Sequence, residues 1–235
     1  MEKTRILVWD LPLRVFHWLL AASFAGAFLT AESERFRDLH AALGYTVGGL
    51  LVFRLAWAFA GTRYARLSSF AFGPAAVWGY LKSLLQGKPL HYVGHNPAGS
   101  WVIYALLLLG VAVGISGHAV YAEAGGHWLK ELHEGLANAM LGLVIVHVVG
   151  VVVSSFLHRE NLALAMVTGY KRGQPDAAIR RTHWATAVAL VLAVGMLWSA
   201  VPNVPVAVRQ HEATPHGQEH APALREARRH ERGES

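Results

Sequence analysis

Five apolar runs, each long enough to cross a bilayer, constrain this chain more than anything else in it. They lie near Leu11–Thr30, Leu39–Ala60, Trp101–Ala122, Leu132–Leu157 and Thr182–Val201. A spanning helix needs about 20 mostly apolar residues. None of the runs alternates apolar and polar residues as a barrel strand does. Backbone in hydrocarbon must bond to itself, so the spans are helical. The expected fold is all-α, a polytopic membrane helix bundle. The first run contains Arg14, His17 and Trp18 and has no small-x-small site before its charged exit. It therefore reads as a span and not as a cleaved leader.

Composition agrees. The chain is 54% hydrophobic and only 15% charged, against about 25% charge in soluble domains. It has no cysteine. Disulfides, thiolate zinc sites, iron–sulfur clusters and thioether haem attachment are excluded. The net charge is +6, but the basic residues sit between apolar runs, which argues for membrane lipid and against nucleic acid.

The basic residues also set topology. Lys3, Arg5 and Arg14 flank the N-terminal side of the first span. Arg54 near the end of span two joins Arg63, Arg66, Lys82 and Lys88 between spans two and three, and Arg159, Lys171, Arg172, Arg180 and Arg181 lie between spans four and five. The two opposite loops hold only Arg35, Arg37 and Lys130, beside Glu32, Glu34, Asp38, Glu123, Glu131 and Glu134. The positive-inside rule then expects a cytoplasmic N-terminus and, after five spans, a C-terminus on the far side. Within the longer Arg66–Pro97 connection, Val77–Leu85 reads as a short amphipathic interfacial helix. Residues Asn203–Ser235 are rich in Arg, Glu, His, Pro and Ala and read as a disordered polar tail.

Ionisable side chains inside spans are costly and point to function. His17 lies inside the first span and His147 well inside the fourth, while His40 and His133 open the second and fourth. His133 and His147 are fourteen residues apart. That spacing is only about 40° short of four full turns, so both project from one face, about 21 Å apart along the axis. Alternating span directions match His17 with His147 at one depth and His40 with His133 at the other. Imidazole is a good iron ligand, and bundle cores hold cofactors between facing helices. Two bis-histidine haems b use all four residues.

A hydrogen bond to a neighbouring helix is the plainer role for any one of these histidines. A proton relay would want carboxylates in the apolar centres, and there are none. Gly44, Gly48, Gly49, Gly110, Gly114, Gly135 and Gly142 leave room for a flat cofactor or for ordinary helix packing. The motif Arg14-x-x-His17-Trp18 is echoed by Arg180-x-x-His183-Trp184. Since His17 already fills that depth, His183 is expected not to be a ligand.

The residues together resemble the bacterial cytochrome b561 and Ni/Fe-hydrogenase b-type cytochrome group, in its cytochrome b/b6-like branch. The matching stretches are Val8–Trp18, His40–Tyr45 with Phe53–Trp57, Gly61–Phe70, Gly94–Gly99, and His133–Asn138 with His147. The resemblance covers about residues 5–172. It implies a membrane dihaem cytochrome in the bacterial inner membrane, exchanging electrons between quinones and another redox protein. It places His17, His40, His133 and His147 at the axial positions. It also implies a four-helix dihaem core in 1–172; the fifth transmembrane helix with its connector in 173–202 lies outside the core that the group shares most broadly, and the tail in 203–235 matches nothing in it.

Haem propionates are anionic and want basic or backbone donors. Arg14, Arg54 and Arg63 are candidates, though a positive-inside anchor is the plainer role for each. His95 is a candidate contact for a propionate or quinone, in a turn where Asn96 or Ser100 caps the third span. The expected partners are a quinone and a periplasmic redox protein, either a c-type cytochrome or a hydrogenase-like enzyme. Self-association stays open. Two competing functions remain. One is superoxide oxidation coupled to quinone reduction, which the net acidic outer loops disfavour. The other is a non-redox membrane role.

Overall fold

The computed structural model describes residues 4–200. The tail at 203–235 lies outside the described residues. Seven α-helices are described: α1 (Leu11–Thr30), α2 (Arg37–Ala60), α3 (Pro74–Leu85), α4 (Pro97–Tyr121), α5 (His127–His158), α6 (Leu162–Thr168) and α7 (Trp184–Ala200). Four of them, α1, α2, α4 and α5, are long and apolar enough to cross a membrane. The seventh has 17 described residues and is also apolar.

Local chemistry explains the helix starts. Asp10 caps α1, its carboxylate accepting from Leu13 N at 2.9 Å, with Pro12 in the first turn. Asn96 caps α4 in the same way, accepting from Gly99 N at 2.7 Å, followed by Pro97. Such caps satisfy amides that a helix start leaves unpaired. The fourth predicted span starts earlier than expected. Its helix begins at His127 and not at Leu132, so His133 lies nearly two turns inside α5.

The side-chain pattern is inverted relative to a soluble protein. Val52, Phe59, Leu108, Ile115 and Phe156 are all more than 65% exposed, a lipid-facing surface. The backbones of α1 and α2 pack closely, as do those of α2 and α4 and those of α4 and α5. Leu190 brings α7 into the core, and Trp198 Nε1 donates to Thr46 Oγ1 of α2 at 3.0 Å.

One end of the bundle carries a small sheet. Strand β1 (Thr4–Leu7) pairs antiparallel with β2 (Tyr170–Gly173). Tyr64 Oη donates to Ala177 O at 2.9 Å. The N-terminus, the α2–α3 connection and the α5–α7 connector therefore meet at one end, as the basic loops require. The apolar core lies at this sheet end, built on Val8, Trp9, Leu13, Phe16, Leu50 and Trp57.

Candidate functional site

Both histidine pairs form across helices. The His17 and His147 ring centroids are 6.4 Å apart, and those of His40 and His133 are 6.3 Å apart. A metal about 2.0 Å from each imidazole nitrogen, with each centroid about 1.1 Å further back, separates two rings by about 6.2 Å. Each pair joins helices whose backbones do not pack closely, α1 with α5 and α2 with α5. Side chains thus approach where the helices leave a gap.

In the His40–His133 pair both rings are held at Nδ1. His40 Nδ1 lies 2.8 Å from Ala27 O. A carbonyl only accepts, so this nitrogen carries the proton and Nε2 keeps its lone pair. His133 Nδ1 lies 3.0 Å from Ser116 Oγ, and that hydroxyl donates to Val113 O at 3.1 Å. Ser116 thus holds the Nδ1 side of the His133 ring and leaves its Nε2 side turned away from that bond. Fixing one nitrogen through a second-shell bond is how imidazoles are oriented at metal centres.

The His17–His147 end is different. Among the described residues, the buried side-chain nitrogens without a hydrogen-bond partner are Arg14 Nε, His17 Nδ1, Arg54 Nη1 and His95 Nδ1. An unpaired buried donor costs about 1–3 kcal/mol. All four belong to residues the sequence singled out. Arg54 is only 2% exposed, six residues before the end of α2. Burial removes its reading as a surface anchor. Arg63, by contrast, is exposed and lies over the Tyr64 ring.

His95 is fixed by packing. Its ring lies 4.7 Å from that of Trp9 and 4.4 Å from that of Phe70. Burial first, then the charges of Arg54, Lys171, His147 and His17, push its imidazole down to about 3. A neutral ring with one unused nitrogen results. The donors of Arg14 and Arg54 fit an anionic group near His17 and His147, as haem propionates are.

The glycines divide. Gly44 and Gly48 follow His40 by about one and two turns, and a Cβ at either would meet nothing within 4 Å. Gly110 instead packs against Leu51 and Met140. Gly135 and Gly142 are exposed and lie on the side of α5 away from His133, about half a turn round. Gly117 is the tight one. A Cβ there would lie 2.8 Å from His133 Cε1. Gly117→Ala should push that ring off the Ser116 bond and lower haem content by about one per chain, as loss of one bundle-core cofactor requires. The matched control is Gly150→Ala, where a Cβ meets nothing within 4 Å. Equal haem content in both variants would show that Gly117 does not hold His133.

Sequence reasoning missed Asp10. It is fully buried and also accepts from Trp57 Nε1, at 3.2 Å to each carboxylate oxygen, and from Thr62 Oγ1 at 2.6 Å. Its place before Leu-Pro signalled a cap, but its tertiary role left no signal. The buried Lys171–Glu160 pair, 3.5 Å apart, was also missed.

The profile of the prokaryotic cytochrome b561 family matches residues 8–169. The chain belongs to the prokaryotic cytochrome b561 family. It is a membrane b-type cytochrome, and the family implies haem b. Among curated relatives is a probable Ni/Fe-hydrogenase B-type cytochrome subunit of Azotobacter vinelandii, 28% identical over 221 residues, covering 74% of this chain and 92% of the relative. The subunit of that description from Rhodobacter capsulatus is 24% identical, covering 74% and 84%. The probable Ni/Fe-hydrogenase 1 B-type subunit of Escherichia coli K12 is 27% identical over 147 residues, covering 49% and 60%. No solved structure matches the chain. The b561 match starts at Val8 and ends at Gly169, so it takes in all four histidines and stops before α7.

Proposed function

We propose that this b561 protein is a dihaem cytochrome that carries electrons between the quinone pool and a redox protein on the opposite side of the bacterial inner membrane. The observation that carries the proposal is the pair His40 and His133, their rings 6.3 Å apart with both Nδ1 atoms held by other partners. His17 and His147 form the second pair at the sheet end. Haem b, when bound, supplies a reversible one-electron iron couple.

The chain's own residues do the rest. Ala27 O and Ser116 orient the first pair. Arg14 and Arg54 offer buried donors to propionates at the second, with the His95 nitrogen beside them. The division into a haem domain at 1–172, a fifth helix with its connector at 173–202 and a tail at 203–235 belongs to this proposal. So does the orientation, with a cytoplasmic N-terminus and a periplasmic C-terminus. The names of the relatives favour a hydrogenase-like enzyme as the periplasmic partner, with a c-type cytochrome as the other choice.

The test is a reduced-minus-oxidised spectrum of the purified protein in liposomes, first with dithionite and then, without air, with a soluble quinol. The expected result is a b-type spectrum that the quinol develops in part or in full. Absence of a Soret band would remove the cytochrome reading, and a spectrum that no quinol develops would remove the quinone.

A further inference from the structure

Where α2 ends and α7 begins, the chain forms an open cavity of about 400 Å³ that the haem reading does not use. Four arginines line it: Arg63 and Arg66 from the loop after α2, and Arg180 and Arg181 from the connector before α7. His183 completes the wall, its ring edge-on to Trp57 with centroids 5.3 Å apart. Four arginines from two segments thus line one cavity, with no carboxylate among the lining residues. The ion pairs among the described residues are His127–Glu131 and Lys171–Glu160, so no described carboxylate pairs with any of the four arginines. Asp10 bonds to Thr62 in the same wall, and its oxygens are already taken by Thr62, Trp57 and Leu13 N.

The cavity wall is held in place. Ile179 N donates to Leu7 O at 2.9 Å and Leu11 N to Thr182 O at 3.0 Å, which pins the backbone on either side of Arg180 and Arg181. Arg66 Nε donates to Gly61 O at 3.0 Å. Positive-inside anchoring asks only that arginines lie on one side of the membrane. It does not ask two separate segments to bring four of them to the wall of one hollow. Like charges brought together at fixed positions repel unless an anion joins them.

We propose that this cavity binds the phosphate head group of an anionic phospholipid and so fastens α7 to the four-helix core. A head group supplies the acceptor oxygens that the guanidinium forks match. Lipid is favoured over a soluble phosphate by where the cavity lies. It sits at the level where two apolar helices emerge, beside Phe59 and Trp184, which are 82% and 67% exposed. Aromatic residues at that level mark the membrane interface, and basic pockets between membrane helices suit such head groups.

The experiment is a native mass-spectrometric titration of the full chain in mild detergent. Phosphatidylglycerol, phosphatidylcholine and inorganic phosphate are compared as ligands. Phosphatidylglycerol should bind selectively. Each of Arg180→Gln and Arg181→Gln should weaken it about fivefold, and the double variant about 30-fold, the factors expected for basic residues at an anionic surface. Arg35→Gln with Arg37→Gln removes two exposed charges at the other end of the bundle and should leave binding unchanged. Equal weakening in the two double variants would reduce the effect to overall charge and overturn the proposal. Equally tight phosphatidylcholine would overturn it too. If inorganic phosphate binds and displaces phosphatidylglycerol, the site takes soluble phosphate and the lipid assignment is wrong. None of these outcomes depends on haem, so the proposal stands or falls apart from the dihaem reading.

Discussion

Replacing His147 by Ala should remove one low-spin haem and leave the other. Pyridine haemochrome analysis should give about two haems per chain in the unaltered protein and about one in the variant, as two facing-helix sites in one bundle require. The pairing makes a sharper demand than the count. His17 and His147 face each other at 6.4 Å, and His40 and His133 at 6.3 Å. Two substitutions within a pair attack one site, so His17→Ala with His147→Ala should cost no more haem than either alone. Two substitutions across pairs attack both sites, so His17→Ala with His133→Ala should leave none. This non-additivity is what residues acting as a unit show. A wild-type stoichiometry of one would end the dihaem proposal. Retention of one haem in the cross-pair double variant would show that the histidines are paired differently.

The histidine pairs were legible because α5 carries one member of each. A fourteen-residue spacing on one helix fixes the shared face, and alternating span directions fix which partner lies at which depth. What orients the rings was not legible. Ala27 O reaches His40 from thirteen residues away on another helix, and Ser116 reaches His133 from seventeen. Any backbone carbonyl looks like any other in sequence, so such a bond appears only after packing.

Helix bounds show the same division. Asp10 and Pro12 mark the start of α1, which runs over Leu11–Thr30 as its apolar run suggests. The first turns of α5, from His127 through Glu131, are polar enough to hide a helix that continues past its apolar window. Strands β1 and β2 have four residues each and come from opposite ends of the described chain. A run so short carries no readable alternation, and its partner is set only by the fold. Gly110 belongs here too. As a small residue it suggested space, whereas Leu51 and Met140 fill that space.

Asp10→Ala should destabilise the sheet end more than any other single substitution there that leaves the histidines intact. The carboxylate is fully buried and serves three elements at once. It caps α1 through Leu13 N at 2.9 Å, takes Trp57 Nε1 of α2 at 3.2 Å, and takes Thr62 Oγ1 of the following loop at 2.6 Å. Losing the cap costs about 1 kcal/mol. Each buried donor left without an acceptor adds about 1–3 kcal/mol, and the indole of Trp57 is buried. The total is about 3 kcal/mol or more, which lowers the unfolding midpoint of a domain this size by about 10 °C. Asp10→Asn keeps the shape and one acceptor oxygen but turns an amide N–H₂ toward other donors, so its midpoint should fall between the two. Thermal unfolding in detergent, followed by haem release, measures the series. The order wild type, Asn, Ala is required. The damage should reach the nearer histidine pair first, because Asp10 caps the helix that carries His17 and its charge is felt by Arg14 and Arg54. If Asp10→Ala melts within about 2 °C of the unaltered protein, a shift worth less than one ordinary hydrogen bond, then the carboxylate does not join α1 to α2.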